Sequence, residues 1–117
     1  MAEIDEERHV CDAAVTLAFS VLGKRWNGMI VSSLGGGSST FVSLRRAVSG
    51  ISDTVLSDRL AELAEAGLVA RAVDAGPPVT VSYSLTDSGR GLLPILDQLG
   101  TWAVSYTHLR AHETRED

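Results

Sequence analysis

The chain has 117 residues, 44% of them hydrophobic, a formal net charge of −5 and one cysteine. That is one domain with enough apolar residues for a core, yet small enough to gain from dimerisation. The composition excludes a polycationic nucleic-acid coat and an internal disulfide, and no apolar run approaches the ~18–20 residues of a membrane-spanning helix.

The acidic opening MAEIDEERHV lacks a signal-peptide pattern, so together with the lone cysteine it leads to the expectation of a reducing, cytoplasmic setting. Residues 1–12 set Arg8 against five acids, a local charge of −4, and are expected to include an acidic arm at 1–10. Ala13 to Leu22 then reads as a first helix led in by Cys11 and Asp12. Trp26, Met29, Ile30 and Leu34 mark a second helix from about Lys24 to Ser33, softened by Gly28. The run Gly35-Gly-Gly-Ser-Ser39 breaks it; it lacks the Gly-Lys-Ser/Thr that completes a phosphate-binding loop. A very short strand is expected near Ser39, and Thr40 is placed to cap a helix starting at Phe41.

In that third helix Phe41, Leu44 and Val48 share one face, with Arg45 and Arg46 on the other. Ser49-Gly50 makes a tight turn into Ile51-Ser52. Ser52 stands at an N-cap, a helix runs from about Asp53 to Ala66, and Gly67 stops it. Leu56, Leu60 and Leu63 anchor its back. Thr54, Ser57, Asp58 and Ala61 face away, with Arg59 on the flank. Two helices joined by a Gly turn, the second polar and unencumbered outside, suit a helix-turn-helix whose second helix enters the major groove.

Residues 68–73 read as a strand, Asp74-Ala-Gly-Pro-Pro78 as a turn, and the alternation from Val79 to Leu85 as the return strand. Thr86 or Asp87 caps a last helix through Leu92, Leu96, Leu99 and Trp102, with Pro94 inside it as a candidate kink. The segment Val104–Asp117 departs from this leucine pattern, and residues 105–117 read as an atypical extension foreign to the domain. The expected fold is mainly α with a small β-hairpin wing, a winged helix-turn-helix with a helix added at each end of residues 11–104. Residues 23–71 carry six basic side chains against four acidic ones, so the predicted DNA face is the least acidic part of the chain.

The order and identity of these residues resemble an HxlR-type winged helix-turn-helix transcriptional regulator, a branch close to the MarR-like regulators. The matching residues are Cys11, Leu22-Gly23-Lys24-Arg25-Trp26, Ile30, Phe41 and Leu44-Arg45-Arg46. They continue through Gly50-Ile51-Ser52, Leu56-Ser57-Asp58-Arg59-Leu60, Leu63, Gly67-Leu68-Val69 and Arg71. Pro77-Pro78, Val81, Tyr83-Ser84-Leu85-Thr86, Gly89, Leu93-Pro94 and Trp102 complete the set. The likeness spans residues 11–104 in unbroken order. It departs at Asp53 and Asp58, which put negative charge on a phosphate-facing helix, and at Ala75-Gly76, which shortens the wing tip. The resemblance implies a homodimer that binds double-stranded operator DNA, with no cofactor and an unidentified small-molecule inducer. It also implies an oxidant or electrophile sensor at Cys11.

The expected DNA-binding residues are Arg45, Arg46, Ser52, Thr54, Ser57, Asp58, Arg59, Arg71 and Thr80. Leu92, Leu96, Leu99 and Trp102 are the expected dimer surface, together with the first helix. A thiol ahead of a helix would be acidified by the helix dipole, whereas Glu6, Glu7 and Asp12 oppose its ionisation; a small buried packing residue is the alternative. His9, Cys11, His108 and His112 contain an i, i+4 His pair but no tight ligand cluster, so no metal site is expected. Trp26 and Trp102 read as core or interface aromatics. No nucleophile–base order or carboxylate pair suggests an enzyme. The alternative function is a winged helix that binds protein, which would expose an apolar patch where residues 54–61 are polar.

Overall fold

The computed structural model describes the backbone of residues 2–116 and the side chains of residues 12–110. Its elements are α1 (Ala2–Leu22), α2 (Asn27–Ser33), a 3₁₀ turn (Leu34–Gly36), β1 (Ser39–Thr40), α3 (Phe41–Ala47) and α4 (Asp53–Glu65). They continue as β2 (Val69–Asp74), β3 (Thr80–Leu85), α5 (Asp87–Arg90) and α6 (Leu93–Glu116). The strands form one antiparallel sheet in the order β1-β3-β2. The wing hairpin pairs Val69 with Leu85 at its base and Asp74 with Thr80 at its tip.

Side-chain caps set three helix starts. The N–H of Ser43 donates to Thr40 Oγ1, that of Val55 to Ser52 Oγ and that of Gly89 to Thr86 Oγ1, at 3.2, 3.2 and 3.1 Å. Each hydroxyl satisfies an N–H that the first helical turn leaves without a backbone partner. The exit of α4 is equally local. Gly67 takes φ +80°, so Gly67 N–H reaches Ala64 O and Leu68 N–H reaches Leu63 O, both at 3.0 Å. That paired closure needs a left-handed residue, which glycine supplies without a Cβ clash.

The core comprises Ile30, Val31, Leu34, Leu44, Val48, Ile51, Leu56, Leu60, Leu63, Val69 and Leu85. All of it lies between α2 and β3. The end helices join only at its edge, through half-buried Val21, Leu92, Leu93 and Leu96. Beyond those contacts α1 exposes Val15, Leu17 and Phe19, and α6 exposes Ile95, Leu99 and Trp102. The radius of gyration is 18.1 Å, against roughly 13 Å for a compact domain of this length; the end helices project from the body. No helix among the described residues is long and apolar enough to cross a membrane.

The backbone departs from the sequence reading at four points. Helix α1 begins at Ala2 rather than Ala13, so the acidic segment belongs to the helix. That segment has no Gly or Pro to interrupt a helix. Cys11 therefore lies in the interior of α1 and not at its N-terminus, which removes the dipole argument for its acidity; its side chain, like those of His9 and His112, lies outside the described residues. Helix α2 starts at Asn27, not Lys24, because Trp26 adopts a left-handed φ of 84°. The expected final helix is two, α5 and α6, parted at Gly91–Leu92. Pro94 is then the second residue of α6, a first-turn position where its missing N–H costs nothing, so it is no kink. The change of sequence character at 104 leaves no break in α6, which runs on to Glu116.

Candidate nucleic-acid interface

The geometry of α4 follows from its leucines. Leu56, Leu60 and Leu63 are at most 2% exposed, which fixes the rotation of the helix about its axis. At 100° per residue this turns Thr54, Asp58 and Ala61 outward with Ser57 on the edge, and all four are exposed. Ser52 is exposed too, but its oxygen already accepts the capping bond from Val55.

Helix α3 is seated by buried Leu44, with Val48 filling the turn that follows. Gly50, at φ +93°, bends the chain toward α4, and a Cβ built there would stand 3.6 Å from the Trp26 ring. Trp26 thus packs beside the turn, half-buried against the core, with the Arg25 guanidinium 4.4 Å from the centre of its ring. Trp102 stands 62% exposed on α6.

The cations differ in their freedom. Arg45 donates to Asp53 Oδ1 at 3.0 Å, an exposed ion pair that ties α3 to the first turn of α4. Arg46 is exposed and has no side-chain partner among the described residues. Arg59 turns back along α4: its Nη1 donates to both oxygens of Glu62, at 3.2 and 3.3 Å, and its Nε is buried without a partner. Lys24 Nζ reaches the same carboxylate at 3.1 Å from the turn between α1 and α2. Hydrogen bonding from Lys24 above all, helped by attraction from Lys24 and Arg59, holds the Glu62 carboxyl below its ordinary range against an opposing desolvation.

The Lys24–Glu62–Arg59 cluster has an uncharged neighbour in Asn27, which is 2% exposed. Its Nδ2 donates to Val21 O at 2.7 Å, closing the end of α1, while Oδ1 is buried without a partner. A cavity of about 140 Å³ lies beside Lys24, Glu62 and Asn27, lined also by Ser20 and Ala66 among others. The i, i+3 spacing of Arg59 and Glu62 was visible in the sequence. Lys24, 38 residues away from Glu62, and the turned-in Asn27 were not.

On the wing, Arg71 and Thr80 are both exposed. Arg71 lies opposite Tyr83, and Thr80 opposite Asp74 at the tip. Asp74 Oδ1 accepts from Gly76 N–H at 3.1 Å and so closes the tip turn. The structure therefore places Arg46, Thr54, Ser57 and Asp58 on the open surface of the helix pair and Arg71 and Thr80 on the wing. Arg45 and Arg59 are held by acids of α4. Of the four expected interface residues, Leu92 and Leu96 pack against the body of their own chain, whereas Leu99 and Trp102 face outward.

Known proteins share this arrangement. A family model described as HxlR-like helix-turn-helix matches residues 21–111. The uncharacterized HTH-type transcriptional regulator YvaP of Bacillus subtilis (strain 168) is 43% identical over 89 residues, covering 76% of this chain and 82% of that protein. The reduced form of the transcriptional regulator YodB from B. subtilis superposes with a TM-score of 0.70 at 39% identity, over 75% of this chain and 86% of that one. The redox regulator HypR in its reduced form gives a TM-score of 0.78 at 32% identity, over 85% of this chain and 98% of that one.

Proposed function

The chain belongs to the HxlR-like helix-turn-helix family of transcriptional regulators, and from that premise we propose that it works as a homodimer binding operator DNA sequence-specifically. The observation that carries this reading is α4 itself. Its back is locked by three buried leucines while Thr54, Ser57 and Asp58 stand free at its outer surface. A helix presented in this way fits the major groove. In the docked arrangement α3 crosses the backbone with Arg46 toward phosphate, and Arg71 and Thr80 follow the strands of the wing.

Two copies are needed to reach two half-sites about one helical turn apart. The unpartnered apolar side chains of α1 and α6 support pairing through those helices. An apolar groove of about 300 Å³, lined by Leu17, Val21, Leu22, Leu68 and Leu92 among others, adjoins them. Enrichment of duplexes from a random library, then titration at fixed salt, tests the reading. It predicts one enriched motif, bound at two chains per site and at least ~10³-fold more tightly than scrambled DNA. Failure of any sequence to enrich at low salt overturns it. Arg46→Ala is expected to weaken all duplexes alike and to lower the salt slope by about one phosphate contact.

Sensing through Cys11 is part of the same proposal. It is supported by the likeness to HypR, a redox regulator, and by the place of Cys11 on the helix whose apolar side chains stand exposed. One cysteine per chain allows a disulfide between two copies, a mixed disulfide with a small thiol, or alkylation. In the first case two thiols give up two protons and two electrons to an oxidant such as diamide. A bond or adduct in α1 would alter the separation of the two α4 helices, which must match the half-site spacing. Cys11→Ser is expected to bind like the parent and to stay bound after diamide or a quinone. If parent and variant respond alike, or if the parent does not respond, Cys11 is not the sensor.

A further inference from the structure

A helix that reads guanine ordinarily brings an Arg or Lys to the O6 and N7 acceptors. The only such side chain on α4, Arg59, is turned along the helix onto Glu62, which Lys24 also grips. What remains on the outer surface is Thr54, Ser57, Asp58 and Ala61, with Glu65 at the last position of the helix. Asp58 lies roughly opposite the Leu56–Leu60–Leu63 stripe, about a turn and a half into the helix. It is exposed, and no side chain among the described residues pairs with it. Among the described residues two carboxylates on that surface lack a partner: Glu65 is the last residue of α4, whereas Asp58 stands in its N-terminal half, the part of a recognition helix that meets base edges, so the charged group offered there is an acceptor.

We infer that Asp58 is a specificity-determining residue that reads the amino group of a cytosine in each half-site. The inference rests on the docking of α4 in the major groove. An ionised carboxylate only accepts hydrogen bonds. Guanine presents two acceptors there and thymine an acceptor and a methyl, so both oppose it. Adenine offers its N6 amino group, but beside the N7 acceptor, which repels the second carboxylate oxygen. Cytosine offers the N4 donor without an adjacent acceptor. Arg59 then reads no base, its charge being directed at Glu62.

The inference predicts that the motif enriched by the parent protein contains a cytosine in each half-site. Replacing that cytosine by any other base should weaken binding about tenfold or more, within the range of a single base contact. Asp58→Ala should bind all four bases at that position with nearly equal affinity while keeping the rest of the motif. Asp58→Asn should prefer adenine, whose N6 and N7 pair with a carboxamide in two bonds. Arg59→Ala should leave base preference at every position unchanged. Because residue 58 is exposed, thermal melts of both Asp58 variants should match the parent.

An unchanged motif in Asp58→Ala would overturn the inference and leave DNA binding by α4 intact. So would loss of a guanine preference in Arg59→Ala, which would mean that Arg59 leaves Glu62 to read a base. Absence of any motif for the parent would overturn the proposed function and this inference with it.

Discussion

Leu56→Ala is expected to destabilise the fold by ~2–5 kcal/mol, the range for truncating a buried leucine in a core that relaxes only partly. Leu56 is fully buried, on the helix that carries the reading surface, and shares the core with Leu44 of α3 and Val69 of β2. A domain of this size has only about 5–15 kcal/mol in total, so the loss would be a large part of it. The expected observation is a clear drop in the urea midpoint with the slope unchanged. Ser57→Ala, one residue along but on the exposed side, should stay within about 0.5 kcal/mol of the parent in stability. The neighbouring pair separates the two tasks of α4. If Leu56→Ala costs less than about 1 kcal/mol, the leucine stripe does not fix the rotation of the helix, and the outward assignment of residues 54–61 fails with it.

The elements legible in the sequence were those determined within a few residues. Thr40, Ser52 and Thr86 each cap by reaching three residues ahead, and Gly67 ends α4 through bonds confined to residues 63–68. The 4-and-3 spacing of Leu56, Leu60 and Leu63 assigned the inner and outer surfaces of α4 correctly for the same reason. Features set by distant partners were not legible. The apolar positions Trp26, Met29, Ile30 and Leu34 suggested a start to α2 at about Lys24, yet Trp26 is left-handed, and its ring lies beside Gly50, 24 positions along. The grip of Lys24 on Glu62 was hidden because the two are separated by the whole of α2 and α3. The acidic segment before Asp12 read as an arm because of its charge, yet it has no Gly or Pro to stop a helix and α1 runs through it. The stripe from Leu92 to Trp102 suggested one surface, whereas Gly91 ends α5 and the core draws Leu92 and Leu96 to itself, leaving the outward portion to Leu99 and Trp102.

The corner where the wing meets the end helices should be the least tolerant of added volume. A Cβ on Gly89 would stand 2.1 Å from the carbonyl oxygen of Leu68 and 3.2 Å from Leu85 Cδ2. The first of these is backbone and cannot rotate away. That carbonyl accepts the N–H of Thr86 at 3.1 Å, and the Thr86 hydroxyl donates to Gly67 O at 2.6 Å while accepting from Gly89 N–H. Four parts of the fold, the exit of α4, the base of β2, the end of β3 and the start of α5, are thus joined within a few bonds. Gly89→Ala must push α5 from the sheet or break these bonds. Overpacking of this kind costs about 1–3 kcal/mol or more, which corresponds to a fall in melting temperature of roughly 5–15 °C for a chain of this length. Gly36→Ala is the matched control, since nothing lies within 4 Å of a Cβ there and its φ is not in the left-handed region; it should melt close to the parent. Because the corner also sets how α6 leaves the body, Gly89→Ala should weaken binding to a two-half-site duplex more than to a single half-site. Equal melting temperatures for the two glycine variants would show that α5 can move off Leu68 freely, and that the wing and the end helices are not held to α4 through this contact.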